Sequence, residues 1–192
     1  MIARARLDAL TDGVFAVAMT LLVIDLKLPE HFHPISADEL IHGLAELKTQ
    51  FFVYVLSFLV LGIRWMSLTR LEGLSETAGK AFALWALAHL FFITCLPFST
   101  MVVGRYGELP PAHWLYAANT LLGAVAAFGL MSAARAQMGV QDAFEWRMGL
   151  VIVMLMSLLA VAISLVAPRF ALFPYILNVI LPGLLRHRRK PV

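Results

Sequence analysis

Long apolar runs separated by short polar links dominate this sequence. The charge-free stretches cover residues 13–24, 49–63, 81–104, 109–134, 148–168 and 170–185. With its flanking residues, each run approaches the roughly 20 apolar residues that a helix needs to cross a bilayer core. The last run contains Pro174 and Pro182, which membrane helices tolerate when neighbouring groups satisfy the freed carbonyls. The pattern therefore predicts six membrane-spanning helices, of which the sixth is short or kinked.

The polar link between the first two runs predicts one further, shorter helix over residues 37–47. Ser36 or Asp38 is the candidate for its amino-terminal cap, because a side-chain oxygen there accepts a free backbone N–H. Apolar residues recur on one side of this segment, as in a helix that lies along a membrane interface.

Composition and charge agree with a membrane protein. The 192 residues are 61% hydrophobic and only 14% charged, whereas soluble domains are nearer 45–50% apolar and about 25% charged. Eleven of the 15 Lys and Arg residues fall on the side of the amino terminus, and four fall on the other side: Lys27, Lys48, Arg105 and Arg169. Because the cytoplasmic links of membrane proteins carry an excess of basic residues, six helices with both termini in the cytoplasm fit this distribution. We expect an all-α, polytopic membrane protein with a single domain over residues 1–192.

The net charge of +3 does not indicate a nucleic-acid partner. The basic residues are spread over the links and one tail, residues 186–190, and not along one folded face. Such a tail is typical of a segment that faces anionic lipid headgroups.

The first apolar run is unusual because carboxylates lie close to both of its ends. Only 12 uncharged residues separate Asp12 from Asp25, so one or both side chains lie at or near hydrocarbon depth. Ionisable groups there are costly unless they are paired or face water, which makes them candidates for function. The alternative is an ordinary helix whose end charges reach the headgroups.

Residues 6–29 also carry a recognisable motif. Arg6, three further residues, Leu10, Thr11 and Asp12 precede GVFAVAMTLLVIDLKLP. This stretch resembles the first helix of the lysosomal and prokaryotic potassium channel family known as transmembrane protein 175. The family has Phe-Ser-Asp where this chain has Leu10, Thr11 and Asp12, so one ring is lost and one hydroxyl is kept.

The resemblance implies a function and a set of residues. It implies a potassium-permeable cation channel of the prokaryotic inner membrane, in which four identical subunits place helix 1 around a pore. Carried over to this chain, the apolar constriction is formed by Val17, Leu21 and Ile24, with the Thr20 hydroxyl near the ion path. The family implies no cofactor and no enzymatic activity; its partners are K⁺, membrane lipids and further copies of the chain.

Helical geometry is consistent with those positions. At about 100° per residue, Val17, Leu21 and Ile24 fall within roughly 60° of one another. Asp12 and Val23 belong to a different stripe. Rings of apolar side chains can block ions by excluding water and pass them when the gap widens. The chain has no TVGYG-type carbonyl filter, so we expect modest discrimination between K⁺ and Na⁺.

Arg6, Thr11 and Asp12 form a second candidate group. We expect a polar network behind the pore helix, in which Arg6 or another donor neutralises Asp12 and Thr11 shares a hydrogen bond. The alternative function is a secondary or proton-coupled transporter that uses Asp12 as its titrating group.

Other chemistry finds little support in the sequence. His31, His33 and His42 lie in one link, and a His-x-His pair can bind Zn²⁺, but no third ligand has a fixed spacing. A flexible link explains these histidines more simply, so no metal site is expected. Catalytic motifs such as G-x-S-x-G and H-E-x-x-H are absent from the sequence, which argues against an enzyme.

Overall fold

The protein is a bundle of long helices. A computed structural model describes residues 2–29, 31–69, 76–138 and 144–179. The α-helices within these ranges are α1 (Arg4–Ile24), α2 (Ala37–Glu46), α3 (Lys48–Leu68), α4 (Lys80–Tyr106), α5 (Pro110–Met138) and α6 (Phe144–Val166). A 3₁₀ turn at Pro168–Phe170 follows α6, and residues 173–179 are again helical.

Five of these helices, α1, α3, α4, α5 and α6, are long and apolar enough to cross a membrane. The prediction of an all-α, polytopic membrane protein is therefore confirmed. The sixth predicted helix falls on residues 170–185; residues 173–179 are helical, and residues 180–185 lie outside the described part of the chain.

Successive long helices run in opposite directions, so α1 and α4, which are separated by α3, run in the same direction. At their start, the two-residue strands β1 (Ile2–Ala3) and β2 (Thr77–Ala78) pair antiparallel. At their finish, an Arg105 Nη donates to Asp25 Oδ1 over 3.2 Å. We call the side with β1 the amino-terminal end of the bundle and the side with Asp25 the far end.

The core lies between α1, α3, α4 and α5. Its fully buried side chains include Phe15 from α1, Leu61 from α3, Ile93 and Leu96 from α4, and Tyr116 from α5. Small residues on α5 permit the close approach of α4: a Cβ atom at Gly129 would overlap the indole ring of Trp85. Close packing through small residues is the usual basis of helix association in membranes, where lipid is as apolar as the side chains.

The link after α1 contains the predicted short helix. The Oγ atom of Ser36 accepts the backbone N–H of Glu39, and the Glu39 carboxylate accepts the N–H of Ile35. This reciprocal cap defines the start of α2. The prediction over residues 37–47 is confirmed, and its leucines, Leu40 and Leu44, are exposed on the far end.

Candidate functional site

One face of α1 is packed against the rest of the subunit and the opposite face is uncovered. The packed face consists of Leu7, Phe15, Ala18 and Leu22 together with Arg4. The intervals between these residues are three, four or eight positions, as expected for one side of a helix. They meet α3 and α4, the two helices with which α1 has most of its contacts.

The predicted constriction residues all lie on the uncovered side. Val17 is 57% exposed, Leu21 42% and Ile24 62%. Thr20 is also exposed, and its hydroxyl donates to the backbone carbonyl of Val17 over 2.8 Å. A threonine in this arrangement keeps its oxygen lone pairs available on the helix surface. The structure thus brings these four side chains together on one outward surface, and we call them the outward face.

The exposed part of α1 is wider than the predicted stripe. Ala16 is exposed, and Val23 is 48% exposed. Met19, seven residues after Asp12 and therefore on nearly the same side of the helix, is partly buried against the core and approaches Gly62 of α3. The side of α1 that carries Asp12 and Met19 is therefore the side next to α3.

Asp12 is bound by an aromatic donor from α3. The indole Nε1 of Trp65 donates to Asp12 Oδ1 over 2.8 Å. Tryptophan near the end of an apolar run is common at membrane boundaries, and nothing in the sequence indicates that Trp65 reaches this carboxylate. A hydrogen bond to an ionised acceptor is among the stronger ones in proteins.

The predicted pairing of Arg6 with Asp12 is not present within the subunit. Arg6 is exposed, and none of the ion pairs found between described residues includes it. Thr11 donates to the carbonyl of Leu7, one turn back along α1. The reason is geometric, because six residues of helix place Arg6 about 120° away from Asp12 around the axis. The other donor that the prediction allowed for is Trp65.

A different ion pair secures the start of α1. The Nε atom of Arg4 donates to Asp8 Oδ1 over 2.8 Å, and the guanidinium carbon lies 4.3 Å from the centroid of the Phe82 ring. Arg4 is only 5% exposed. The spacing of four residues could have suggested the pair, whereas contact with the start of α4 depends on the tertiary fold.

Polar side chains also connect the helices inside the subunit. Thr120 Oγ1 of α5 lies 3.0 Å from both Ser157 Oγ of α6 and Tyr175 Oη. Arg64 of α3 donates to the Thr120 carbonyl over 3.1 Å, and His89 Nδ1 lies 2.9 Å from the Gly123 carbonyl. These contacts satisfy polar groups that would be costly without partners at membrane depth.

Among the described residues, the histidines of the first link are not joined by further candidate metal ligands. No cluster of three or more His, Cys, Asp or Glu side chains suited to a metal ion occurs in the described part of the chain. His42 instead lies 3.7 Å from Glu46 on the exposed side of α2.

Sequence comparison relates the amino-terminal half of the chain to one family of channels. Residues 6–97 match the family described as "Endosomal/lysosomal potassium channel TMEM175". The chain is 32% identical over 108 residues to a protein named a potassium channel from Chamaesiphon minutus, and the match covers 56% of this chain and 53% of that relative. It is 33% identical over 101 residues to a potassium channel from Streptomyces collinus, covering 53% of this chain and 48% of the relative. These alignments span about half the length of either relative.

A solved structure resembles the whole subunit. The chain superimposes on the crystal structure of a lysosomal potassium-selective channel TMEM175 homolog from Chamaesiphon minutus with a TM-score of 0.80. The superposition covers 94% of this chain and 96% of that one, at 24% identity. More distantly, the chain is 27% identical over 112 residues to a chicken protein named an endosomal/lysosomal proton channel, of which the match covers 22%. The resemblance to this family, which consists of ion channels and not of enzymes, is confirmed.

Proposed function

With its relationship to the TMEM175 family established over residues 6–97, we propose that the chain is one subunit of a potassium-permeable channel. The pore is lined by α1, and its constriction is formed by Val17, Leu21 and Ile24, with Thr20 beside them. The observation that carries this proposal is the outward face itself. The helix that bears the family motif leaves these side chains uncovered by the rest of the subunit.

Physical chemistry requires more than one copy of the chain. A single α1 can form one side of a conduit but cannot enclose it, so the outward faces of several subunits must meet around an axis. We propose a homotetramer, the state implied by the resemblance. Rings of Val17, Leu21 and Ile24 then follow one another at about one helical turn, or roughly 5 Å, along the axis. They resist ions because a narrow apolar gap does not stay wet.

The alternative is a carrier in which the Asp12 carboxyl binds and releases a proton, and the contacts of Asp12 support it less well. Asp12 lies on the side of α1 next to α3 and is engaged by Trp65. Thr11 and Asp12 are therefore proposed to orient α1, with Trp65 as the donor to Asp12. No step of permeation requires a cofactor, because a hydrated ion moves down its own gradient.

The proposed location is the prokaryotic inner membrane, with the amino-terminal end of the bundle in the cytoplasm. The greater number of basic residues at that end supports this orientation. A reporter fused after Val192 is expected to behave as a cytoplasmic protein. A periplasmic signal would contradict the combination of this orientation with an even number of membrane crossings.

The proposed function is tested with purified protein in planar bilayers under K⁺ and Na⁺ gradients. A channel gives unitary currents that need no coupling ion, with a reversal potential displaced towards that of K⁺. Transport without unitary currents that follows a pH gradient would favour the carrier. Folded tetramer without any cation flux would refute both.

A further inference from the structure

Arg6 lies on the same side of α1 as the outward face. It precedes Val17 by 11 residues, Thr20 by 14 and Ile24 by 18. With 3.6 residues per turn, these intervals are close to three, four and five whole turns. Arg6 is exposed like those residues, and it stands at the amino-terminal end of the same surface.

The neighbouring charges of α1 are already engaged elsewhere in the subunit. Arg4 holds Asp8 in an ion pair and lies against Phe82, and Asp12 accepts from Trp65. Arg6 has no ion pair or side-chain hydrogen bond among those between described residues. Because Arg4 is paired with Asp8, Arg6 is left as a positive charge without an ion-pair partner among the described residues, on the same side of α1 as the outward face.

We propose that Arg6 of each subunit faces the pore mouth at the amino-terminal end, where a ring of guanidinium groups limits the access of cations from that side. This inference rests on the proposed channel function. Arginine stays protonated at all physiological pH values, so the ring carries a fixed charge. Rings of charged side chains set the local ion concentration at a pore mouth, and salt screens them over about 8 Å at 0.15 M ionic strength.

The consequence is a current that depends on direction. With equal K⁺ on both sides, ions that start from the amino-terminal compartment meet the ring first, so their current is the smaller one. The asymmetry is expected to be largest at low salt, because screening is then weakest, and to fade near 1 M salt, where the screening length is only about 3 Å.

A charge-replacement experiment tests this role after the channel has assembled. The chain has a single cysteine, Cys95, so Arg6→Cys in a Cys95→Ala background presents one new thiol. We expect the current from the amino-terminal side to rise at least about twofold in roughly 0.05 M KCl, where long-range charge effects are strong. A cationic methanethiosulfonate reagent should return the current towards that of the parent, and an anionic reagent should raise it further.

Lys80 provides the matched control. It is an exposed cation at the start of α4, at the same end of the bundle, but α4 packs on the buried side of α1. Lys80→Cys and its two labelled forms are expected to keep the asymmetry of the parent channel. A response at Lys80 equal to that at Arg6 would indicate a general surface potential and would overturn the proposal.

Three results contradict the ring of charge while leaving the channel proposal intact. The first is a conducting wild-type channel whose currents are symmetric at low salt, which needs no variant and so does not depend on folding of Arg6→Cys. The second is mass-spectrometric proof that the thiol introduced by Arg6→Cys is not labelled from the amino-terminal compartment. The third is complete labelling without any change in current, as expected if Arg6 only contacts lipid headgroups. Absence of current in the wild type would instead refute the proposed function.

Discussion

The indole nitrogen of Trp65 lies 2.8 Å from Oδ1 of Asp12 and joins the first membrane helix to α3 near the amino-terminal end of the bundle. Asp25, at the other end of the apolar run, accepts a hydrogen bond from Arg105 over 3.2 Å. Both carboxylates that flank this run therefore have donors from neighbouring helices. Two contacts at separate heights restrict the rotation of α1 about its axis, which keeps the outward face turned away from the subunit.

We predict that Trp65→Phe lowers the free energy of unfolding, because an aromatic ring is kept while the donor to Asp12 is lost. A hydrogen bond to a charged group typically contributes about 1.5–3 kcal/mol. Asp12→Ala should have a similar effect, and the double variant should be less destabilised than the sum of the two single variants. Thermal unfolding of the purified variants in detergent measures this. Additive effects of the two substitutions would show that the 2.8 Å contact does not stabilise the fold. Arg6→Lys serves as the control and should unfold at nearly the wild-type temperature.

The hydroxyl of Thr120 is predicted to stabilise the packing of three chain segments. It is fully buried and lies 3.0 Å from the hydroxyls of both Ser157 and Tyr175. Thr120→Val keeps the shape but removes this partner, which should cost about 1–3 kcal/mol because buried polar atoms lose a hydrogen bond. Thr120→Ser retains the hydroxyl and serves as the control. Equal stability of the Val and Ser variants, measured by thermal unfolding, would exclude this role.

Gly129 is predicted to tolerate no side chain without repacking. A Cβ atom there would overlap the indole of Trp85 on α4, whereas a Cβ at Gly149 of α6 has no neighbour within 4 Å. Overpacking typically costs about 1–3 kcal/mol, so Gly129→Ala should lower the melting temperature. Gly149→Ala should leave it unchanged or raise it, since alanine favours a helix by up to about 1 kcal/mol. If the two variants unfolded at the same temperature, α4 and α5 would not be in contact at this position.

The sequence predicted the helices well because each apolar run carries its own signal. Charge-free stretches about as long as a helix that spans a bilayer coincide with α1, α3, α4, α5 and α6. Of the two candidate caps, Ser36 and Asp38, it is Ser36 that caps α2. Pro97, a helix breaker in soluble proteins, lies inside α4, where neighbouring helices can satisfy the backbone groups that proline leaves free.

Contacts between helices were less accessible to sequence reasoning. Arg6 or another donor was predicted to pair with Asp12, and the donor is Trp65, 53 positions away along the chain. Burial of Arg4 against Phe82 likewise depends on how α1 and α4 meet. Periodicity identifies which residues share a face of one helix. Their contact partners on the neighbouring helix are set by tertiary packing, which no local sequence pattern reveals.

Because α1 has one exposed and one packed face, the ion selectivity of Ile24→Asn is the most direct test of which face lines the pore. Ile24 is more exposed than Val17 and Leu21 on the outward face. An amide there would keep the gap wet and offer ions a polar contact. The measurement is the unitary conductance and the reversal potential under a K⁺/Na⁺ gradient, with Val23→Asn as the control on the adjacent stripe. We expect a higher conductance and a reversal potential nearer zero for Ile24→Asn, and the wild-type reversal potential for Val23→Asn. Unchanged selectivity in Ile24→Asn together with altered selectivity in Val23→Asn would contradict the assignment of the pore-lining face.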